Sequence, residues 1–347
     1  MTAILQMMRS GLLVRVAATI AVVGTGAFIA QPRAQSAPAR LGGDGSLEVW
    51  HVQGSVYVIA QDGGNITVQT GDDGVIVVDT GTAAMSDRIL AEISKLSTKQ
   101  IRQIINTHVH PFSTGGNENL AKGGRSLGNV PGASIFAHEN VLSAMSAPVG
   151  QQSPMPVAMW PTDTYIGPTK DLFFNGEGIQ ITHIAAAHTN GDSLVFFRRS
   201  DVIAAGDIFS TRGYPVIDKE RGGSIDGVLD GLNRITELTI PQDKQEGGTY
   251  VIPGQGRISD EGDVVEYRDT VTIIRDRVLD MAKKGMTLAQ VQAAKPSRDY
   301  DGRYGTDSGT WTTAMFIEAV YRDVSGTLAK AGTKVSAKSP AAPAKKK

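Results

Sequence analysis

The sequence predicts a globular α/β protein in which β-sheets are stacked inside flanking helices. Two observations predict this class. The chain has 347 residues, of which 41% are hydrophobic and 20% are charged, so it can bury a sizeable core. Short β-rich segments alternate with helical segments, and this alternation occurs in both halves of the chain. Two strand-then-helix halves are typical of sheets packed between layers of helices.

The first half begins with β-rich segments separated by Gly-Gly and Asp-Asp-Gly turns, which predict an antiparallel meander. An amphipathic helix, a short buried strand, a short helix and a further strand follow. The predicted strands are 56–60, 66–70, 75–79, 101–106 and 134–137, and the predicted helices are 85–96 and 118–122.

The second half repeats the alternation. The loops that leave the strands are the expected place for function in such folds. The predicted strands are 179–184, 194–197, 202–205 and 250–253, and the predicted helices are 225–238 and 261–284.

The N-terminal segment has the layout of an export signal. Arg9 and Arg15 are the only charges before a charge-free run of apolar and small residues at 16–30. This pattern predicts a signal peptide over residues 1–36, and an uncleaved membrane anchor is the alternative. We therefore expect an exported protein, periplasmic or secreted, whose folded domain covers residues 45–329 and includes C-terminal helices.

The amino-acid composition limits which partners and which metal-binding side chains the protein can have. Lys and Arg total 34 against 35 Asp and Glu, so no excess charge indicates nucleic acid or, after signal cleavage, a membrane as partner. Residues 330–347 are rich in Ala, Lys, Pro and Ser and predict a solvated basic tail. The chain has no cysteine, so any metal must be bound by histidines and carboxylates. We expect a small-molecule substrate, and the sequence leaves the oligomeric state open.

Three of the six histidines lie in loops beside predicted strands. His108 and His110 stand one residue apart directly after a buried strand, where alternate side chains can point to the same place. His188 lies in a turn between strands, and Asp207 directly follows an apolar strand. Three imidazoles and one carboxylate suit Zn²⁺. The alternative for the first pair is two polar loop residues without a metal.

Five segments occur in the order typical of the metallo-β-lactamase superfamily, which the chain resembles over about residues 49–267. The resemblance implies an αββα sandwich with metal ligands along one edge of the two sheets. It also implies that Asp79 supports the loop of His108 through hydrogen bonds. The five segments are 75–81 (VIVVDTG), 105–111 (INTHVHP), the turn around His188, Gly206-Asp207 and 251–254 (VIPG).

The metal signature of this family, HxHxDH, is broken in this chain. Its first two histidines match His108 and His110, but Phe112 and Ser113 stand in place of the aspartate and the last histidine. Gln255 likewise replaces the histidine of a later Pro-Gly-His-Gly segment. In similar proteins, these three positions supply the second metal ion.

The resemblance therefore implies one zinc ion rather than two. A phenyl ring has no lone pair to donate, a serine hydroxyl is a poor ligand, and a glutamine carbonyl binds zinc weakly compared with imidazole. The positions that match the first metal site are complete. They are His108, His110, His188 and Asp207, although Asp207 either binds directly or orients another ligand.

We predict a zinc-dependent hydrolase acting on an ester, lactone, thioester or lactam. One zinc ion can polarise a carbonyl and bring a bound water to a pKa of about 7. The nucleophile would be this zinc-bound water, and no protein side chain is assigned as its base, because Phe112 replaces the aspartate that has this role in the family. The alternative is an impaired or inactive relative that binds a ligand or partner in the former active-site groove.

Four further residues have weaker functional interpretations. Trp160, in the apolar loop 154–165, and Tyr214, shortly after Asp207, are candidates for substrate contacts, with local packing as the alternative. His138 lies at a predicted helix start, so a capping or surface role is expected. His183 lies in a predicted strand and is expected to be a core or surface histidine.

Overall fold

The computed structural model describes residues 46–128, 130–147, 150–330 and 332. The predicted export signal and nearly all of the predicted tail lie outside these residues. Within the described part of the chain, no helix is both long and apolar enough to cross a membrane.

Among the described residues, the first half of the chain forms a seven-stranded sheet whose strand order follows the sequence. Its first four strands are antiparallel, whereas the fourth to the seventh run parallel. The strands are β1 (Glu48–Gln53), β2 (Val56–Gln61), β3 (Gly64–Gly71), β4 (Gly74–Val78), β5 (Ile101–Ile105), β6 (Ser134–His138) and β7 (Asp163–Tyr165).

The second sheet has five strands within the described ranges, in the order β12-β11-β10-β9-β8. Adjacent strands in this sheet are antiparallel, except that β11 and β12 run parallel to each other. The strands are β8 (Thr169–Phe174), β9 (Glu177–Ile184), β10 (Asp192–Phe197), β11 (Val202–Ala204) and β12 (Tyr250–Ile252).

The helices connect these strands and continue beyond the last of them. In chain order they are α1 (Ser86–Leu96), α2 (Pro111–Thr114), α3 (Asn117–Lys122), α4 (Glu139–Met145), α5 (Ile225–Leu238), α6 (Glu261–Lys283), α7 (Leu288–Ala294), α8 (Asp301–Tyr304) and α9 (Thr313–Lys330).

The two sheets pack face to face around an apolar core. In β4, alternate residues serve different layers: Ile76 and Val78 face the other sheet, and Val75 and Val77 face the helices. A strand buried on both faces must be apolar throughout, which explains its continuous valine and isoleucine run. The inter-sheet core includes Val56, Val58, Ile76, Val78 and Ile105 from the first sheet, and Ile179, Ile181, Val195, Phe197, Val202 and Ala204 from the second.

Helices cover both outer faces of the sandwich. Ile89 and Ile93 of α1 and Leu120 of α3 pack on the first sheet. Residues of α5, α6, α7 and α9 pack together on the second sheet. The four-layer αββα arrangement predicted from the sequence is therefore confirmed.

The predicted strands and helices agree with the observed ones to within one or two residues at most ends. The short strand β7 and the edge strands β1 and β8 were not among the predicted elements. Strand β8 pairs only with β9 and is mostly exposed, so its sequence lacks the apolar run that identifies a buried strand.

Two histidines from the two sheets stack on each other. The rings of His138, at the end of β6, and His183, in β9, lie parallel with centroids 3.6 Å apart. His138 is also the N-cap of α4, because its Nδ1 accepts a hydrogen bond from the backbone N–H of Asn140 at 3.3 Å. Burial, together with the charge of His183, lowers the pKa of His138 to about 4. This capping agrees with one of the two roles expected for His138.

The stacked pair predicts an acid-sensitive contribution to stability. Between its unfolded pKa of 6.5 and its folded pKa of about 4, His138 takes up a proton more readily in the unfolded chain. The contribution of neutral His138 to the free energy of unfolding should therefore be fully present above pH 6.5. It should decrease as the pH falls towards 4. His138→Asn keeps a capping oxygen but cannot be protonated, so it should remove on the order of 1 kcal/mol of this pH dependence.

Urea unfolding in the presence of a chelator, compared between about pH 5 and about pH 8, measures the effect. His51→Asn is the control, because His51 is exposed, and it should keep the wild-type profile. An unchanged pH dependence in His138→Asn would contradict the prediction.

Candidate metal centre

His108 and His110 are positioned by a hydrogen-bonded turn after β5. The buried carboxylate of Asp79, directly after β4, accepts hydrogen bonds from the backbone N–H and the hydroxyl of Thr107, at 2.8 and 2.7 Å. The hydroxyl of Ser113 also donates to this carboxylate. Burial raises the pKa of Asp79 to about 7, although these hydrogen bonds oppose the shift. The Asp79 side chain thus joins the ends of the parallel strands β4 and β5, at the residue that directly precedes His108.

His188 is held by the loop between β9 and β10 and by the start of α5. The backbone N–H of Asp218 donates to the carbonyl of His188 at 2.9 Å, and that of Ser224 donates to the carbonyl of Ala187 at 2.9 Å. A Cβ on Gly227 would overlap the carbonyl of Ala186, so only glycine lets the helix approach this loop so closely.

The three histidines come together in the loops that follow β5 and β9. One nitrogen of each ring can be chosen so that all three lie within 4.8 Å of one another. His188 Nε2 is 2.8 Å from His110 Nδ1. His108 Nε2 is buried and has no hydrogen-bond partner among the described residues. An unsatisfied buried nitrogen in a cluster of imidazoles is the arrangement that a metal ion would complete.

The outward nitrogen of each ring faces a protein oxygen. A carboxylate and a carbonyl can only accept, so they fix the outward nitrogens of two rings as N–H donors and leave lone pairs on the inward nitrogens. The three outward contacts are His108 Nδ1 to Thr107 Oγ1 at 3.0 Å, His110 Nε2 to Asp218 Oδ2 at 2.9 Å, and His188 Nδ1 to the Val216 carbonyl at 2.8 Å.

The electrostatic environment keeps two of these rings neutral. Burial, followed by the charges of the other two histidines, holds the pKa of His108 well below its usual value. Burial and the charge of His188 also lower the pKa of His110, although the Asp218 carboxylate opposes this. Because neutral imidazole is the metal-binding form, His108 and His110 are ready to bind a cation near neutral pH. The residues present therefore fit a metal ion.

Asp207 lies beside this cluster. Its Oδ2 is 3.6 Å from His108 Nε2 and 3.7 Å from His188 Nε2, so one carboxylate oxygen faces the inward nitrogens. The residue follows Gly206, whose φ of +52° starts the turn after β11. A Cβ on Gly254 would overlap Asp207 Oδ1, so the Pro253-Gly254 segment must pass the carboxylate as bare backbone.

The three replaced positions do not form a second metal cluster. The phenyl ring of Phe112 packs on Gly63 and Gly64, where a Cβ at either glycine would contact it at 2.8 or 2.9 Å. Ser113 is fully buried, and its hydroxyl points to Asp79. The backbone carbonyl of Gln255 accepts from the N–H of Thr211 at 3.1 Å. Within the described part of the chain, the three histidines are the one group of at least three possible metal-binding side chains.

The two candidate substrate contacts lie in different surroundings. The indole N–H of Trp160 donates to the carbonyl of Met155 at 3.0 Å, and the side chain packs against the small apolar cluster that includes Val109 and Val141. Tyr214 lines a cleft beside Asp207, but it is 4% exposed and its hydroxyl donates to Asp301 Oδ1 at 2.8 Å. Both side chains are therefore engaged in packing and hydrogen bonds of their own.

Sequence reasoning missed the groups that hold the outward nitrogens. Asp218 lies 108 positions from His110 in the chain, and it follows no strand or periodic pattern. Burial opposes its ionisation, but hydrogen bonds from Arg221 and His110 prevail and lower its pKa. No sequence signal marks Val216 either, because it contributes only its backbone carbonyl.

Comparisons with known proteins agree with this architecture. A family model described as the metallo-β-lactamase superfamily matches residues 53–254. A search of curated proteins finds no significant match. A stereoselective inverting sec-alkylsulfatase from Pseudomonas sp. aligns with a TM-score of 0.56 and 16% identity, over 80% of this chain and 50% of that chain. A double mutant of a sec-alkylsulfatase aligns with a TM-score of 0.58 and 17% identity over the same shares.

A metallo-β-lactamase from Pontibacter korlensis aligns with a TM-score of 0.49 and 14% identity, over 65% of this chain and 99% of that chain. The chain spans about half the length of the sec-alkylsulfatases, and at these identities the similarity to solved structures shows the fold alone. The family model, by contrast, covers more than half of the chain and includes all three clustered histidines. The chain belongs to the metallo-β-lactamase superfamily.

Proposed function

We propose that this protein is an exported hydrolase that uses a single zinc ion to act on an ester, lactone, thioester or lactam. His108, His110 and His188 would bind the ion, with Asp207 as a fourth, direct ligand. The observation that carries the proposal is the convergence of three imidazole nitrogens beside a carboxylate oxygen, with one of these nitrogens buried and without a hydrogen-bond partner in the described part of the chain.

Zinc is the metal that this set of ligands favours. Imidazole and carboxylate groups without thiolates suit Zn²⁺, and an ion held by these four residues would need a further open position for water. When bound, zinc would supply the Lewis acidity that polarises a carbonyl and acidifies water. The protein's own contribution is to hold the three rings in one tautomer through Thr107, Asp218 and Val216, so that little reorganisation accompanies binding.

The proposal of one ion rests on the replaced positions. Phe112 presents hydrocarbon packed against the β2–β3 turn, and the hydroxyl of Ser113 is already engaged with Asp79. Gln255 lies in the cleft beside Asp207, where its amide could contact a substrate but would be a weak zinc ligand. We assign no protein side chain as the general base.

One observation favours a second candidate function. No carboxylate occupies position 112, where the family has an aspartate, so the site lacks that group for handling a proton from water. The alternative is therefore a relative with little or no catalysis, which binds a ligand or partner in the groove. Metal content and turnover together distinguish the two candidates.

Metal content and activity test the hydrolase directly. Wild-type protein should bind one zinc per chain, and His188→Ala should lose both the ion and turnover of an ester or lactone. The triple variant Phe112→Asp, Ser113→His, Gln255→His should bind a second ion and hydrolyse faster. Elemental analysis and initial rates measure these outcomes.

Two ions in the wild type, or turnover that survives metal removal, would overturn the single-zinc hydrolase. One bound zinc without turnover on any of the four substrate classes would support the alternative function.

Asp218 should increase zinc affinity without touching the ion. Its carboxylate accepts from His110 Nε2, and loss of such a partner typically weakens metal binding by roughly tenfold or more. Asp218→Asn should therefore raise the zinc dissociation constant by about tenfold, measured by competition with a chromophoric chelator. Asp226→Asn is the matched control, because Asp226 is exposed and pairs with Arg275 on the outer helices. Equal effects of the two variants would contradict this role.

Export follows from the sequence pattern of residues 1–36 and has its own test. We expect the mature protein to be recovered outside the cytoplasm without its N-terminal segment. Mass spectrometry of the protein from each cell fraction measures this, and an intact N-terminus on membrane-bound protein would indicate an anchor instead.

A further inference from the structure

Next to the candidate metal centre is a cleft of about 300 Å³ between the sandwich and the segment that precedes α9. Asp207 lines it, and so does Val216, whose carbonyl accepts from His188. A molecule in this cleft would therefore lie directly beside the proposed zinc ligands. On the side of the β2–β3 turn, by contrast, the ring of Phe112 packs against Gly63 and Gly64.

The far wall of the cleft is the loop 306–313, which ends at the first residue of α9. Its base is closed by two hydrogen bonds: the N–H of Thr306 donates to Thr313 Oγ1, and the N–H of Thr313 donates to the Thr306 carbonyl, both at 2.9 Å. Ser308, Thr310 and Trp311 of the loop line the cleft. All of these residues lie beyond residues 53–254, the segment that the family model matches.

The polar groups of the cleft favour an oxygen-rich ligand. Side chains of serine, threonine and glutamine line it from both walls, and hydroxyl and amide groups can donate hydrogen bonds to ligand oxygens. The indole N–H of Trp311 is buried and has no acceptor among the described residues.

Arg212 is the one positively charged residue among the described residues that line the cleft. Its backbone N–H donates to Ser210 Oγ at 3.1 Å, which fixes the start of the side chain. Its nearest carboxylate is that of Asp62, at 3.7 Å, and the Asp62 side chain is 66% exposed. Such an exposed pair is weak and is readily exchanged for a better-placed anion. The neighbouring Arg257, by comparison, is held by Asp263 at 2.6 Å.

We propose that this cleft is the substrate subsite, and that it selects esters or lactones that carry an anionic oxygen group, such as a carboxylate or sulfonate. Arg212 binds the anion, because a guanidinium matches the geometry of such groups with two parallel hydrogen bonds. The loop 306–313 encloses the rest of the molecule. This inference rests on the proposed hydrolase function, which it deepens by naming the substrate class.

Two esters that differ by one carboxylate test the selection. On the zinc-loaded enzyme, Arg212→Gln should raise KM for 4-acetoxybenzoate by about tenfold, since a charged hydrogen bond is lost, and should change KM for phenyl acetate little. Arg234→Gln is the matched control, because Arg234 is a surface residue of α5 that pairs with Glu237, and it should change neither KM. Equal effects of Arg212→Gln on both esters, or none, would overturn the proposal.

A binding measurement tests the subsite without catalysis. Benzoate should quench the fluorescence of Trp311 in the wild type, and Trp311→Phe should lose this quenching while calorimetry still detects binding. Arg212→Gln should weaken benzoate binding by about tenfold without changing the weaker binding of benzyl alcohol. If neither ester is hydrolysed but benzoate binds in this way, the hydrolase function fails and the anion subsite stands. If benzoate does not bind, or binds equally well to Arg212→Gln, the anion subsite fails.

Discussion

The buried carboxylate of Asp79 connects the core of the sandwich to the cluster of three histidines. It lies at the end of β4 and accepts two hydrogen bonds from Thr107, which follows the neighbouring strand β5. The Thr107 hydroxyl donates to Asp79 and so can accept from His108 Nδ1, which aims the opposite nitrogen of that ring into the cluster. Burial raises the pKa of Asp79 because it disfavours the charged carboxylate. The three hydrogen-bond donors around the carboxylate stabilise the charge and so oppose part of this shift.

The same carboxylate explains how the chain accommodates its unusual residues. Ser113 donates to Asp79, so a position that supplies a metal ligand in similar proteins becomes part of the support beneath His108. Phe112, one residue earlier, turns the other way and packs on the glycines of the β2–β3 turn. Packed hydrocarbon at position 112 leaves no buried charge there that would need a partner. The substitutions are thus mutually consistent.

The helices that follow β12 support one wall of the cleft beside the histidine cluster. Residues of α6, α7 and α9 pack on the second sheet through a large apolar core, and this packing holds the loop 306–313 opposite Asp207. The histidine cluster itself comes from loops at the strand ends, where functional residues of α/β folds usually lie. Because the strand-end loops carry the histidine cluster and separate helices hold the wall of the cleft, the wall can differ while the cluster is kept. This separation is a physical reason why one fold can serve many substrates.

Local sequence determined much of this protein. Apolar runs such as Val75–Val78 identify strands buried on both faces, and the order of the motifs around His108, His188 and Asp207 indicates the fold and which residues are candidate metal ligands. These patterns are readable because burial and period-two geometry act on neighbouring residues. Only the tertiary structure brought Asp218 to His110, stacked His138 on His183, and placed Arg212 opposite the loop 306–313. Each of these contacts joins distant segments through side chains that carry no periodic signal, so the packing of the sheets and helices had to decide them.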